Sequence, residues 1–290
     1  MRGMRCRHSF VTDGSYARFR GSKYVQSDIG DSYVRCKEFL DRGERVLFTG
    51  TPCQALGLRR FLAEFSVNRD RLTIVDFVCH GVPSQKVLDK YIKDAARRFG
   101  SAPTGLAFRH KRKRWQTALD TLLVVDGKTE RDDDSPYMLG FMVNLFLRPS
   151  CRDCAAKGFR SGADVTIGDF WGGRQMLGRF DDGRGVSLVM VNTAKGEELF
   201  GRLAPFCDTI ASSVGEACAF NHGIYASSGT NKRRGDFFAG LDSEPFGELY
   251  RKTAGKSATN MIRRFVPKEA VNWARYALWK ARSALRKGNA

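Results

Sequence analysis

Cys151 and Cys154 form the only C-x-x-C pair in the chain. Two thiolates at that spacing grip one metal ion, or one iron of a cluster, because the intervening turn brings both sulfurs to one side. They supply half of a four-sulfur site, so two more ligands must come from elsewhere. Cys53 and Cys79 qualify. Each stands in a Gly/Pro-containing loop, Gly50-Thr51-Pro52-Cys53 and Cys79-His80-Gly81-Val82-Pro83, where backbone N–H groups are free to point at sulfur. Pro52 and Pro149 stiffen the approach to their cysteines. Four thiolates suit either a [4Fe-4S] cluster or tetrahedral zinc, and spacing alone does not separate the two. The remaining cysteines read differently. Cys36, Cys207 and Cys218 fall inside predicted helices or strands and are expected to be core thiols. Cys6 has no partner at ligand spacing.

These loops need elements to hold them. Asp31 or Ser32 can cap a helix to about residue 42, with Gly43 as its stop. Residues 45–49 read as a short apolar strand that breaks at Gly50 to Cys53 and continues as a helix over 54–65. A second buried strand over 72–78 stops at the Cys79 loop, and Ser84 caps a helix to about residue 98. This β-α-β-α order argues for a parallel α/β sheet. In such sheets ligands gather outside the carboxyl ends of the strands, so Cys53 and Cys79 are expected on one sheet edge. The middle section predicts strands over 106–109 and 115–125, with Asp126-Gly127 as a hairpin signal. A helix over 137–147 delivers Cys151. Residues 163–168 form an alternating run that ends in Asp169-Phe170-Trp171-Gly172. A buried strand over 186–192 and a helix over 194–203 follow. The fold class is α/β: a mostly parallel sheet with flanking helices, an inserted hairpin and a C-terminal basic helix. The expected organisation is one domain over 1–240 and a helical basic tail over 241–290.

The chain has 290 residues and a net charge of +18. Its apolar fraction, 42%, suits a globular protein, and no run approaches the roughly 18 apolar residues that span a bilayer. The basic N-terminus lacks the apolar centre of a secretory signal, so a cytoplasmic location is expected. Eight cysteines in a reducing compartment point to metal or redox chemistry before disulfides. The charge raises three partner classes: nucleic acid, an anionic membrane surface, or anionic cofactors and acidic proteins. Nucleic acid is disfavoured, because the cations are spread over several elements without aromatic interleaving. Past Arg251 the composition turns strongly basic, and Val271, Ala274, Leu278, Ala281 and Leu285 recur at helical spacing. This is either a terminal helix with a solvated basic face or a docking helix for a membrane surface or acidic partner.

Three segments carry a resemblance: LFTGTPCQALGLRRFL, VDFVCHGVPSQKVLDKYI and YMLGFMVNLFLRPSCRDCAAKGFRSGADVTIGDFWG. In that order, with GSKYVQS at 21–27, they resemble the coenzyme F420 hydrogenase/dehydrogenase beta-subunit family in its bacterial branch, from about Arg20 to Gly172. The resemblance implies an iron–sulfur flavoprotein that passes electrons between a [4Fe-4S] cluster, FAD and a deazaflavin or other acceptor. It implies Cys53, Cys79, Cys151 and Cys154 as the cluster ligands. Similar bacterial proteins carry an N-terminal ferredoxin module and a Gly-rich segment that helps bind flavin. Neither is in this sequence, so weak FAD binding by the isolated chain is the expectation. A ferredoxin-like or other redox protein is the partner this implies.

Lys23, Thr49, Gly50 and Thr51 are candidates for flavin phosphate or ribityl contacts, since a strand-to-helix turn presents backbone donors. An ordinary turn is the alternative. Trp171 offers a ring to stack on flavin, or a core side chain. His80 is placed to tune a cluster or relay a proton, or to serve structure alone. Asp169 anchors its turn or contacts a cofactor. The cations from Arg109 to Arg114 either steer an anionic partner or form a solvated turn. Two other functions remain open on the residues: a truncated non-catalytic remnant or assembly subunit, and a zinc-stabilised basic binding module.

Overall fold

The computed structural model describes residues 4–109, 120–133, 135–254 and 268–288. The described elements run, in chain order, α1 (Ser32–Asp41), β1 (Val46–Gly50), α2 (Pro52–Glu64), β2 (Leu72–Phe77), α3 (Gln85–Phe99), β3 (Gly105–Phe108), β4 (Thr121–Val125), β5 (Lys128–Asp132), α4 (Pro136–Met142), β6 (Val165–Asp169), α5 (Gly173–Leu177), β7 (Ser187–Val191), α6 (Ala194–Leu203), α7 (Val214–Ala219), α8 (Arg234–Gly240), α9 (Phe246–Thr253) and α10 (Lys268–Gly288). They belong to two compact units. The first takes the described residues of Met1–Cys36, His80–Asp153 and Ser228–Gly255. The second takes those of Lys37–Cys79, Cys154–Ser227 and Lys256–Ala290.

The second unit is the α/β part. Its sheet has the order β1-β2-β6-β7. β1, β2 and β6 are parallel, and β7 runs antiparallel to β6. α2 is the crossover between β1 and β2, and buries Ala55, Leu58 and Leu62. That spacing forms one apolar stripe, which covers the sheet face carrying Phe48 and Ile74. Each such side chain contributes about 1.5–3 kcal/mol when fully buried. The other face is more open: Leu47, Ile167, Val189 and Val191 are exposed on it. The strand expected to be buried over 186–192 is therefore buried on one side only. As β7 it lies at the sheet edge, with Leu188 and Met190 inward.

Asp164 locks this sheet together. Its N–H donates to the Ile74 carbonyl, and its carboxylate accepts the Ile74 N–H at 2.8 Å. The other carboxylate oxygen accepts the Thr193 hydroxyl at 2.6 Å, and that hydroxyl also caps α6 by accepting the Gly196 N–H. One buried side chain thus ties β2, β6 and the start of α6, leaving no unpaired charge-bearing oxygen.

The first unit holds the antiparallel sheet β3-β4-β5. Asp126 and Gly127 both have positive φ, 49° and 74°, as a two-residue hairpin of this twist requires. Of the strand expected over 115–125, residues 115–119 lie outside the described ones, and β4 begins at Thr121. The helix expected over 137–147 stops at Met142, because Asn144 takes a left-handed φ of 60° and turns the chain. Phe146 then folds back over Gly140, where a Cβ would lie 2.3 Å from its ring. Tyr137, Phe146, Phe237 and Phe246 are fully buried in one aromatic core. α9, at the edge of the stretch where the composition turns basic, carries Phe246 and Leu249 into that core.

The tightest backbone approach in the second unit gives a direct test. A Cβ on Gly196 would stand 2.2 Å from the Asp164 carbonyl oxygen and 2.9 Å from its carbon. Backbone cannot yield as a side chain can. Gly196→Ala is expected to destabilise the protein by about 1–3 kcal/mol, read as a lower urea midpoint at unchanged slope.

Candidate functional site

The parallel pairing sets the geometry. Gly50 lies opposite Asp76 in the β1–β2 register, and Cys53 and Cys79 each follow three residues later. Both cysteines therefore leave adjacent parallel strands at the same carboxyl edge. Cys53 is not in a loop, however. Helix α2 begins at Pro52, so Cys53 occupies its first turn. The reason is local: Thr51 is the N-cap, Pro52 fits the first helical position, and the Gln54 side chain accepts the Thr51 N–H at 3.0 Å and its hydroxyl at 2.9 Å. Cys53 is exposed, and its Sγ lies 3.1 Å from Thr51 Oγ1.

Cys79 is half-buried and lines a small cavity together with Pro52, Asp76, Ala156, Lys157 and Thr166. Pro52 immediately precedes Cys53, and Ala156 follows Cys154 by two residues, so three cysteine-bearing backbones border this cavity. The Cys154 N–H donates to Ser227 Oγ at 2.9 Å, and its carbonyl accepts the Lys157 N–H at 3.1 Å. These three cysteines belong to the second unit and Cys151 to the first. Cys151 is half-buried at the end of the turn Pro149–Cys151, packs against the aromatic core and donates its N–H to the Arg148 carbonyl. None of the four is joined in a disulfide. Among the described residues, no group of three or more His, Cys, Asp or Glu is gathered so that it could hold a metal ion. The donor set suits a thiolate-bound group in kind: four cysteines, of which Cys79 lines the cavity, and Cys53 and Cys79 follow strands at a sheet edge where ligands gather.

The other thiols separate by burial. Cys36 is buried in α1, which pushes its thiol up to about 11. Burial also raises Cys218 in α7 and the half-buried Cys6. Cys207, expected in the core, is exposed instead. It follows the short turn Ala204–Phe206, where Pro205 ends the helical run and carries the chain outward.

The residues expected to contact flavin lie on several elements. Thr49 lies on the more open sheet face and Thr51 is engaged as the α2 cap. Gly50 has a packing reason, since a Cβ there would meet the Phe48 ring at 3.0 Å and Gln54 Oε1 at 3.3 Å. Trp171 is half-buried beyond β6, at the same carboxyl edge but two strand spacings from β1, about 9–10 Å. Lys23 belongs to the first unit, with its ammonium on the carbonyls of Phe19 and Arg20. His80 bonds Asn144 Oδ1 through Nε2 at 2.6 Å and packs edge-on to Phe141, which gives it a structural role. The Asp169 carbonyl accepts the Trp171 N–H at 3.1 Å, anchoring the turn. Arg109 donates to the Tyr24 hydroxyl at 3.2 Å, while 110–114 lie outside the described residues.

Two charged residues that no sequence motif singled out stand at the cavity. Lys157 is buried, and its ammonium bonds the carbonyls of Cys79 and Gly223. Asp76 is buried too, and accepts the Thr166 hydroxyl at 2.5 Å. Burial pushes the Asp76 carboxyl above the usual carboxylate range, against the hydrogen bonds of Ser161 and Thr166 and the Lys157 charge, which pull it down. Asp76 carried a signal: an acid inside the apolar run Leu72 to Val78 must be paired or functional. Lys157 carried none, because only the turn after Cys154 aims it inward.

A family model for the C terminus of the coenzyme F420 hydrogenase/dehydrogenase beta subunit matches residues 43–205. The chain belongs to this family. The matched span contains Cys53, Cys79, Cys151 and Cys154, and also Asp76 and Lys157. The family is one of beta subunits of hydrogenases and dehydrogenases, which are components of multi-subunit redox enzymes. No curated protein matches the chain. Among the described residues no helix is long and apolar enough to cross a membrane.

Lys157 and Asp76 yield two tests. Lys157→Met removes the charged donor from two buried carbonyls and is expected to destabilise the fold by about 2–3 kcal/mol in urea unfolding. For Asp76, the raised native value means the folded chain holds the proton more tightly than the unfolded chain. The resulting stability is full below about pH 4 and is lost as pH rises through the raised value. Asp76→Asn should therefore gain stability relative to the parent as pH rises from about 4 towards neutrality. A difference independent of pH would contradict this.

Proposed function

We propose that this chain is an iron–sulfur subunit that transfers electrons between a [4Fe-4S] cluster and a flavin or deazaflavin-type acceptor. The observation that carries the reading is the family match, whose span includes all four candidate cysteines. The parallel pairing of β1 and β2 supports it, since it sends Cys53 and Cys79 out at one edge. The C-x-x-C spacing supports Cys151 as the companion of Cys154. The redox partner in this reading is a ferredoxin-like or other redox protein.

A cluster at these thiols would supply one-electron chemistry, with a potential set by burial and by hydrogen bonds to sulfur. The chain's own residues provide the setting. Thr51 places a hydroxyl beside the Cys53 sulfur. The first turn of α2 presents backbone N–H groups that favour negative charge near Cys53. Lys157 fixes the carbonyl of Cys79 and adds a buried positive charge at the cavity. Ser227 fixes the backbone of Cys154. For FAD, the Thr49-Gly50-Thr51 turn and Trp171 leave one sheet edge, and the reading takes FAD binding by this chain alone to be weak.

Anaerobic purification followed by iron, acid-labile sulfide, zinc and flavin quantification tests the proposal. Iron and sulfide in equal amounts, with little flavin, are expected. Cys53→Ala, Cys79→Ala, Cys151→Ala and Cys154→Ala should each lose most of the iron, while Cys207→Ala keeps it. Bound zinc without sulfide would favour the zinc-stabilised module instead. Iron retained in all four variants would overturn the ligand assignment.

A further inference from the structure

Helix α10 presents an unusual outer surface. Trp273 and Leu278 are 52% and 60% exposed, and Ala274, Ala277 and Ala281 are exposed with them. At 100° per residue these five side chains fill a sector of about 140°. Lys280 borders the sector on the Trp273 side, and Arg282 and Arg275 border it beyond Leu278; all three are exposed. Of the less exposed residues, Asn272, Tyr276, Trp279 and Ser283 fall together on another side, where the Tyr276 and Trp279 rings stack at 6.1 Å, and Val271 lies beside Leu278 at the sector's edge. An ordinary surface helix turns its polar side to water. This one turns an apolar sector outward and flanks it with cations.

We infer that α10 is a docking helix for an anionic lipid surface, lying in the interface with Trp273 and Leu278 inserted. The chemistry is that of interfacial helices: an apolar sector, flanking Lys and Arg, and an aromatic ring at the sector's edge. Over Lys268–Gly288 the sequence has six Lys or Arg against one acid, Glu269, and the whole chain carries +18, so anionic headgroups attract it at long range. A second copy would bring the same cations to the same face and be repelled. The sector's centre is alanine, flat and without a knob or a pocket, which suits lipid better than a protein groove. The helix lies on the surface and does not span it.

Flotation of the full chain with vesicles tests the inference. Binding to phosphatidylcholine vesicles containing phosphatidylglycerol is expected, with little binding to phosphatidylcholine alone and release by high salt. Leu278→Glu and Trp273→Glu should each weaken binding at least tenfold, and Arg275→Ala or Lys280→Ala about fivefold. Each replaced side chain is exposed or at the helix surface, so the thermal midpoint serves as the folding control. Tryptophan emission should shift to the blue on binding, and lose that shift in Trp273→Phe. Failure to bind acidic vesicles, equal binding to neutral ones, or unchanged binding of Leu278→Glu would overturn the inference. So would a concentration-dependent dimer that Leu278→Glu dissolves, since the sector would then be a protein interface.

Discussion

The arrangement around the cysteines depends on one constraint, the in-register parallel pairing of β1, β2 and β6. Parallel neighbours share an edge for their carboxyl ends, so whatever follows each strand emerges side by side. Gly50 opposite Asp76 sets Cys53 and Cys79 each three residues past one shared register position. Asp164 holds the β2–β6 register with bonds in both directions to Ile74. A slip of one residue would turn Phe48, Ile74 and Asp76 to the opposite face and dismantle both the α2 packing and the cavity. The redox reading therefore rests on a sheet whose register is fixed by buried polar bonds as well as by apolar burial.

A buried charge stands beside that edge. An ammonium in low dielectric is expensive unless its donors are met, and Lys157 meets them with the carbonyls of Cys79 and Gly223. The arrangement does two things together. It fixes the turn that carries Cys79 onto the segment that follows Cys154, and it leaves positive charge at the cavity. Asp76 partly offsets that charge, while its own burial favours the protonated form. Negative charge arriving at the neighbouring sulfurs would find a setting already biased to receive it. Such bias is what a thiolate-bound group requires of its surroundings.

The chain path is interleaved. His80–Asp153 leaves the α/β unit directly after Cys79 and returns directly before Cys154. The inserted stretch joins an aromatic core around Tyr137, Phe146, Phe237 and Phe246. The junctions of the insertion thus fall beside candidate ligands. In the first unit, Gly81 packs against Leu147 and Cys151, and Pro83 bridges Leu147. The loop after Cys79 and the loop before Cys151 are consequently held together within that unit.

Several elements follow from the residues alone. Helical stripes and short apolar runs fix β1, α2, β2, α3 and α6 in place, and local signals bound α1, α2 and β4: Gly43 with positive φ, the Thr51-Pro52 cap, the Asp126-Gly127 hairpin. The family is legible for the same reason, since its motifs are contiguous stretches around the four cysteines. Local chemistry also set limits on that reading. Cys53 was expected in a loop, but the capping bonds of Gln54 draw it into a helix. Tertiary structure alone decided the rest. Lys157 becomes a buried cation only when the turn after Cys154 meets the carbonyls of Cys79 and Gly223, which lie 78 and 66 positions away. Cys207 is exposed together with Phe206 after the turn at Pro205, and β7 is half open because Val189 and Val191 share the more open sheet face with Leu47 and Ile167. Burial depends on what covers a residue, and the covering groups come from distant parts of the chain that no local pattern names.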